Sequence, residues 1–211
     1  MNNDRKDGIP ILFANLKAEA NLDLDINKNE TGIIVIDAAN KLKEEIYNDH
    51  LTGFENRKGL NQFKNNLEPE EYPLLMLSID LDNLKKVNDT YGHPAGDKYI
   101  YSFVKFINEL FPDNKKFRLG GDEFFIPVSN LDSEKIKSFY DKLKIFNNDQ
   151  ENKNFDNNGK EIYYLQLTYG VDIAISDKDF YDALKRSDDK LIEAKSLKKS
   201  LGLDFFSAHK K

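Results

Sequence analysis

The sequence predicts an α/β fold in which helices flank a mixed central β-sheet. Two observations support this prediction. Residues 74–79 form an almost unbroken apolar run, which is typical of a strand buried on both faces. Amphipathic stretches, with apolar residues three or four positions apart, alternate along the chain with short strand-like segments. This order of elements is typical of an α/β sandwich.

The first 48 residues are predicted to form a short N-terminal extension that contains a helix. A stripe of apolar residues, from Ile33 through Ile36, Ala39 and Leu42 to Ile46, predicts a helix from Thr31 to about residue 48. Residues 9–16 form a shorter apolar stretch that is compatible with a small helix. The stripe suits either pairing with a second copy or packing on the same chain. Residues 49–211 are predicted to form a single domain.

The remaining elements follow from periodicity and turn signals. Residues 96–111 carry a clean amphipathic stripe that Pro112 ends. Two strand-like segments around Gly120 and Gly121 predict a tight β-hairpin. Further elements are predicted from the same signals: a helix at 133–146, a loop at 147–159, a strand at 161–175, a helix at 179–197 and an edge strand at 203–206.

Composition excludes several classes of protein. The 211 residues include no cysteine, which excludes disulfide scaffolds and thiolate zinc sites. The net charge of -6 argues against a broad nucleic-acid surface. The first residues lack the apolar segment of a signal peptide, and no apolar run approaches the roughly 20 residues of a membrane helix. We therefore expect a cytoplasmic protein with neither nucleic acid nor membrane as a partner.

Two acidic segments, Asp80-Leu81-Asp82 and Asp122-Glu123, lie where predicted strands meet turns. Burying an unpaired carboxylate is costly, and a hard divalent cation would relieve that cost. Mg²⁺ typically takes one or two carboxylates together with substrate phosphates. If the hairpin pairs beside the central strand, Asp80 and Asp122 meet at one metal site. The alternative is that both segments are solvated turns, although the neighbouring glycine pair would let a ligand approach the backbone closely.

A phosphate-binding feature follows the first acidic segment. Residues 83–85 open a predicted helix, and the free N–H groups of a helix N-terminus bind phosphate. Lys85 adds a positive charge at this point. Without the neighbouring acids, Lys85 would be interpreted as a solvated helix lysine.

Three motifs resemble those of the GGDEF (diguanylate cyclase) family. Residues 80–97, DLDNLKKVNDTYGHPAGD, resemble its DxDxFKxxNDxxGHxxGD block. Residues 118–124, RLGGDEF, match its RxGGDEF signature, and residues 49–57, DHLTGFENR, resemble its DxLTGLxNR motif. The resemblance covers the chain from about residue 49 to residue 206.

This resemblance implies a polymerase-palm-like fold, similar to that of nucleotidyl cyclases. It also implies that two GTP molecules condense to cyclic di-GMP in a transient homodimer, with two Mg²⁺ or Mn²⁺ ions per active site. By position, the side chains of Asp80 and Asp122 and the carbonyl of Leu81 resemble metal ligands. Asp122 and Glu123 are the candidates for activating the ribose 3′-hydroxyl, and Lys85 for stabilising phosphate charge.

Other matched positions are implied to bind substrate. Asn88, His93 and Asp97 match positions around the guanine base. A carboxylate at Asp97 would accept hydrogen bonds from guanine N1 and N2, whereas adenine would leave it unpaired. The full set of positions implied to bind substrate is Leu84, Asn88, His93, Asp97, Gly120, Gly121, Lys195 and Lys199.

The sequence departs from the family pattern at several positions. Leu84 replaces a phenylalanine, and residues 187–200, SDDKLIEAKSLKKS, replace the pattern ADxALYxAKxxGRN. Lys195 keeps the place of a phosphate-contacting lysine, whereas Lys199 stands where arginine is expected and loses bidentate contact. For Lys198 and Lys199, a solvated basic helix face is as good an interpretation as phosphate binding. Residues 111–114, FPDN, lack the RxxD motif of a product-inhibition site, so we expect no inhibition there.

Three functions therefore stay open. The first is an active diguanylate cyclase. The second is a degenerate GTP-binding module that signals through an unidentified regulatory partner; the altered C-terminal motif and the absence of a recognisable sensor domain in residues 1–48 leave room for it. The third is a related palm-type cyclase with another cyclic nucleotide as product, although Asn88 and Asp97 argue against an adenine substrate.

Overall fold

A computed structural model describes residues 31–129, 134, 137, 141, 153–155, 161–164 and 166–202. The chain forms two units, Met1–Asn48 and Asp49–Lys211. In the first, helix α1 spans Thr31–Tyr47, in agreement with the predicted helix. The predicted short helix at 9–16 and edge strand at 203–206 lie outside the described residues. So does most of the predicted helix at 133–146, of which residues 134, 137 and 141 are described and helical.

Apart from the helical residues 134, 137 and 141, the described part of the second unit contains four helices and six strands. The helices are α2 (Arg57–Asn65), α3 (Leu84–Tyr91), α4 (His93–Leu110) and α5 (Phe180–Ser200). The strands are β1 (Leu74–Leu81), β2 (Phe117–Arg118), β3 (Glu123–Val128), β4 (Lys153–Phe155), β5 (Glu161–Tyr164) and β6 (Leu167–Ala174). Two short 3₁₀ helices span Pro69–Glu71 and Asp177–Asp179.

Strand β1 lies at the centre of a four-stranded sheet with the order β2-β3-β1-β6. Both neighbours of β1 run antiparallel to it, so its C-terminal end meets the N-terminal ends of β3 and β6. Asp80 is opposite Glu123 on one side and Thr168 on the other. This register brings the end of β1 and the hairpin turn to the same edge of the sheet.

The helix-flanked sheet agrees with the prediction, but the pairings between its described strands are antiparallel rather than mixed. An isolated parallel bridge joins Glu55 to Phe117. The apolar run at residues 74–79 is typical of parallel strands because these are covered on both faces. It reports burial and not strand direction, and every residue of β1 is buried here.

Alternate residues of β1 enter two different cores, as the two-residue period of a strand requires. Leu75, Leu77, Ile79 and Leu81 pack in a cluster with residues of α3 and α4. Leu74 and Met76 pack in a second cluster with residues of α2 and α5. The sheet is therefore covered by α3 and α4 on one face and by α2 and α5 on the other.

Helix α5 packs unusually close to the backbone of β6. A Cβ atom added at Gly170 would lie 2.0 Å from the carbonyl oxygen of Ser187 and 2.4 Å from the amide nitrogen of Leu191. Beside this contact, the hydroxyl of Ser78 in β1 lies 2.8 Å from that of Ser187 and 2.5 Å from Oδ1 of Asp188. These contacts set the position of α5 against the two strands.

Two further differences concern residues 147–175. The predicted strand at 161–175 is divided into β5 and β6, and β5 pairs with β4 in a separate two-stranded sheet. Strand β4 lies inside the segment predicted to be a loop, and its polar Asn-rich surroundings gave no strand signal.

Candidate functional site

The two acidic segments lie side by side at one edge of the sheet. Asp80 is the penultimate residue of β1 and is 5% exposed, while Asp122 immediately precedes β3. The amide of Leu81 donates a hydrogen bond of 3.0 Å to the carbonyl oxygen of Asp122. The condition stated from the sequence, that the hairpin pairs beside the central strand, is met: β3 pairs with β1, and the backbone of Asp122 is hydrogen-bonded to that of Leu81.

The chain turns sharply after β1 and enters α3. Asn83 adopts a left-handed conformation with φ of 65°, which asparagine tolerates better than most residues. The turn directs Leu84 and Lys85 into the first turn of α3, next to the end of β1. Leu84 is buried in the core beside α4, whereas Lys85 is exposed.

These elements surround a cavity of about 500 Å³. Five lysines and four aspartates line it, so the cavity offers positive charge for phosphates and carboxylates for cations. The lining residues come from the end of β1, the turn after it, α3, the turn before β3 and the C-terminal half of α5: Asp80, Leu81, Asp82, Asn83, Leu84, Lys85, Lys86, Asp89, Asp122, Lys195, Lys198 and Lys199.

Seven of the residues singled out from the sequence line this cavity, and six do not. The seven are Asp80, Leu81, Leu84, Lys85, Asp122, Lys195 and Lys199. Of the other six, Gly120, Gly121 and Glu123 belong to the adjacent hairpin, and Asn88, His93 and Asp97 belong to α3 and α4.

Asp80 carries excess negative charge in a buried place. Its Oδ2 lies 2.5 Å from Nζ of Lys195, which α5 supplies. The pKa of Asp80 is raised to about 6, mainly by burial; the contact with Lys195 opposes this rise, and the nearby charges of Asp122 and Asp82 add to it. A second cation at this position would therefore be stabilised.

Asp82 is held from several directions. Its Oδ2 lies 2.5 Å from Nζ of Lys198, and its Oδ1 accepts a hydrogen bond of 2.7 Å from the hydroxyl of Thr168. The hydroxyl of Tyr99 donates to the carbonyl oxygen of Asp82 at 2.7 Å, and the amide of Asp82 donates to the carbonyl oxygen of Gln166 at 3.0 Å. Both the side chain and the backbone of Asp82 are thereby anchored.

The glycine turn of the hairpin is held by Arg118. Its guanidinium donates to the carbonyl oxygens of Gly120 at 3.2 Å and Gly121 at 2.7 Å, and it also lies 3.0 Å from the carboxylate of Asp49. A Cβ atom added at Gly120 would lie 2.7 Å from Oε2 of Glu123, so this glycine leaves room for the glutamate. The turn therefore has a defined position relative to β1.

Asp49 links the motif at residues 49–57 to this turn. Its Oδ1 accepts hydrogen bonds from the amide of Thr52 at 2.9 Å, the hydroxyl of Thr52 at 2.7 Å and Arg118. Burial raises the pKa of Asp49, but the hydrogen bonds from Thr52 and Arg118 outweigh it and lower the pKa below its ordinary value. Arg57 adds a hydrogen bond of 3.1 Å to the carbonyl oxygen of Leu119. Residues 49–57 thus support the hairpin.

The residues implied to bind the base lie at the junction of α3 and α4. Gly92, with φ of 84°, joins the two helices. The side chain of Asn88 lies against Gly96, where an added Cβ atom would be 1.9 Å from its Oδ1. His93 and Asp97 occupy the first turn and a half of α4, and both are exposed.

The donor set at the strand end suits a hard divalent cation only in part. Asp80 and Asp122 provide two carboxylates, which is the number that Mg²⁺ typically takes when substrate phosphates supply further ligands. Among the described residues, no three His, Asp or Glu side chains form a group that could hold a metal ion by themselves. A cation at this site would therefore depend on ligands from the substrate.

The motifs alone did not identify Tyr99, Thr168 and Lys198 as parts of the site. Lys198 follows Lys195 by three positions and therefore lies on the same helix face, which was an available signal. Tyr99 lies within the apolar pattern of α4, and its polar tip gave no separate signal.

No helix among the described residues is long and apolar enough to cross a membrane.

Comparison with known proteins agrees with these features. Residues 46–200 match the family described as diguanylate cyclase, GGDEF domain. The chain is 33% identical over 116 residues, or 52% of its length, to a probable diguanylate cyclase, DgcT, of Escherichia coli (strain K12). It is 29% identical over 164 residues, or 74% of its length, to an uncharacterized membrane protein of Staphylococcus aureus (strain USA300). It spans 25% and 45% of the lengths of these two relatives.

A solved structure shows the same fold. The coiled coil and GGDEF domain of DgcB from Caulobacter crescentus, determined in complex with c-di-GMP, superposes with a TM-score of 0.66 and is 18% identical in sequence. The match covers 90% of this chain and 95% of the other. Given the family match over residues 46–200, the palm-like fold and the paired acidic segments, the chain belongs to the GGDEF domain family of diguanylate cyclases.

Proposed function

We propose that this protein condenses two molecules of GTP into cyclic di-GMP and releases two molecules of pyrophosphate. The observation that carries the proposal is the placement of Asp80 and Asp122 at one end of two paired strands, in a cavity that five lysines also line. Phosphoryl transfer requires mainly alignment of the reactants and neutralisation of charge, and both kinds of group are present.

In the proposed reaction, the 3′-hydroxyl oxygen of one GTP attacks the α-phosphorus of the other. A new phosphodiester bond forms as the bond between the α-phosphorus and its bridging oxygen to the β-phosphate breaks, and pyrophosphate leaves. Asp122 or Glu123 accepts the hydroxyl proton. In a second, equivalent step, the 3′-hydroxyl of the other nucleotide attacks the remaining α-phosphorus, which closes the ring and releases the second pyrophosphate.

Charged side chains are assigned by their position. Lys85 and Lys199 are exposed, line the cavity and make no ion pair with another described residue, so both suit triphosphate binding. Mg²⁺ or Mn²⁺, held by Asp80, Asp122 and the carbonyl of Leu81, would neutralise charge on the reacting phosphates, and we expect two ions per site. Asp97 is exposed in the first turns of α4, where its carboxylate would accept hydrogen bonds from guanine. Asn88 and His93 are proposed as further residues around the base.

A homodimer is part of this proposal. Cyclic di-GMP contains two phosphodiester bonds related by two-fold symmetry, and a C₂ dimer would present the two GTP molecules to each other in that relation. If the dimer forms mainly with substrate, specific activity rises with protein concentration. Constant specific activity across a dilution series, with the GTP-bound protein monomeric in sedimentation, would contradict the dimer.

A second candidate is GTP binding without turnover, in which a regulatory protein recognises the GTP-bound form. The ion pair between Lys195 and Asp80 favours it, because this pair partly neutralises one of the two carboxylates proposed as metal ligands. A site that keeps this pair when GTP is bound would hold the nucleotide without reaction.

One experiment separates the candidates. The purified chain is incubated with GTP, with ATP and with both, in the presence of Mg²⁺ or Mn²⁺, and products are identified by mass. Calorimetry measures nucleotide binding in parallel, and Asp122→Asn serves as the inactive control. Cyclic di-GMP from wild type alone supports the proposal, GTP binding without product supports the regulatory module, and a different cyclic nucleotide supports the related cyclase.

A further inference from the structure

Lys198 has a different environment from the other lysines of the cavity. Its ammonium group contacts three acceptors: Oδ2 of Asp82 at 2.5 Å, the carbonyl oxygen of Leu167 at 3.2 Å and the hydroxyl of Thr168 at 3.3 Å. An ammonium group has three N–H donors, so these three acceptors saturate it. Lys198 would have to break these contacts before it could bind a phosphate.

Lys195, one turn earlier on α5, contrasts with it. Its ion pair is with Asp80, and its side chain is 41% exposed, against 24% for Lys198. A single charged partner and a larger exposed fraction leave Lys195 able to exchange Asp80 for a phosphate. A phosphate of a bound nucleotide could therefore recruit Lys195 more easily than Lys198.

The acceptors of Lys198 are themselves fixed to the end of β1. Thr168 donates to the other carboxylate oxygen of Asp82 and is opposite Asp80 in the strand register. The backbone of Asp82 is bonded to Tyr99 and Gln166. Lys198 thus completes a network that joins α5, β6 and the segment that carries Asp80 and Leu81.

We propose that Lys198 is a positioning residue of this site and not a phosphate ligand. It fixes the carboxylate-bearing end of β1 against the last turns of α5. It also pairs with the carboxylate of Asp82, so that Asp80 and Asp122 remain as the carboxylates available to a cation. The pattern ADxALYxAKxxGRN, compared above with residues 187–200, has glycine where this chain has Lys198. The inference rests on the proposed cyclase function for its kinetic consequences.

The chain offers a matched control on the same helix. Nζ of Lys190 lies 2.6 Å from Asp172 and 2.9 Å from the carbonyl oxygen of Val171, so it also joins α5 to β6 through an aspartate and a carbonyl. Neither Lys190 nor Asp172 lines the cavity. Lys190→Met therefore removes a comparable ion pair without touching the site.

The first measurement does not require activity. Hydrogen exchange is followed at the amide of Asp82 in the wild type, Lys198→Met, Lys198→Arg and Lys190→Met. We expect Lys198→Met to accelerate exchange at Asp82 by about tenfold, because local opening there becomes easier, and Lys190→Met to leave it unchanged. Unchanged exchange at Asp82 in Lys198→Met would overturn the proposal. If that variant does not fold, Thr168→Val tests the same network and should show the same acceleration.

The second measurement separates positioning from binding. A positioning role predicts that Lys198→Met lowers kcat by about tenfold or more and leaves the KM for GTP within about threefold, while Lys198→Arg restores most of the rate. A rise in KM at unchanged kcat would instead make Lys198 a phosphate ligand and refute the inference. An inactive wild type would refute the proposed cyclase function, and the exchange measurement would still decide the role of Lys198.

Discussion

Replacing Asp80 with asparagine should stabilise the protein in the absence of divalent cations while it abolishes turnover. Asp80 is buried, and burial is the main reason that its pKa rises from 3.8 to about 6. A carboxylate with a raised pKa destabilises the folded state wherever it is ionised. Asparagine has nearly the same shape and resembles the neutral form, so the variant escapes this cost.

The size of the effect follows from the shift. One pKa unit corresponds to 1.36 kcal/mol, and the shift from 3.8 to about 6 is about two units. The expected gain in the free energy of unfolding is therefore roughly 3 kcal/mol at pH 8. Asp80 is 5% exposed, so solvent screening reduces this value little.

The sign of the pH dependence can be stated in advance. Below pH 3.8 the carboxyl group is protonated in both the folded and unfolded states, and wild type and variant have equal stability. Between pH 3.8 and about 6 the unfolded state releases its proton first, so the wild type loses stability relative to the variant. Above pH 7 the difference is constant.

The assay is urea unfolding of wild type and Asp80→Asn in EDTA, from pH 4.5 to pH 8. Asp172→Asn is the control of opposite sign. Burial raises the pKa of Asp172, but hydrogen bonds from Lys190 and Arg186 outweigh it and lower the pKa to about 2. That variant should lose stability at pH 8. Equal stability of Asp80→Asn and wild type at pH 8 would show that the strand end carries no excess negative charge.

Three further predictions follow. Gly170→Ala should destabilise the protein by about 1–3 kcal/mol or more, because an added Cβ atom would lie 2.0 Å from the carbonyl oxygen of Ser187 and would force α5 away from β6. Calorimetry measures this loss of stability, and an unchanged melting temperature would contradict the close contact. Arg118→Ala should lower kcat for cyclic di-GMP formation by about 10²-fold, since the carbonyl oxygens of the glycine turn lose their donor. A wild-type rate in this variant would show that the turn keeps its position without Arg118. Asp97→Ala should reduce the ratio of GTP to ATP affinity by about 10-fold or more, measured by calorimetry with both nucleotides, and an unchanged ratio would remove Asp97 from base recognition.

The sequence alone was sufficient for the elements that depend on local pattern. Alternation and apolar runs located β1, the hairpin and helices α4 and α5, because side-chain burial has the period of the element that carries it. The motifs placed Asp80 and Asp122 at strand ends, and the glycine pair indicated a hairpin, although four residues, and not two, separate β2 from β3. The direction of the pairings was not predictable in the same way, since an apolar run reports burial on both faces and not which way a neighbouring strand runs.

Only the tertiary structure decided which cations meet which acids. Lys198 and Asp82 are 116 positions apart, and nothing local to either residue indicates the other. Their contact depends on the close approach of α5 to Gly170 and on the face of the helix that this approach turns toward β1. The raised pKa of Asp80 has the same origin, because desolvation and the field of neighbouring charges exist only once the strand end is enclosed. Residue types can therefore be read along the chain, whereas their charge and their partners are properties of the packed site.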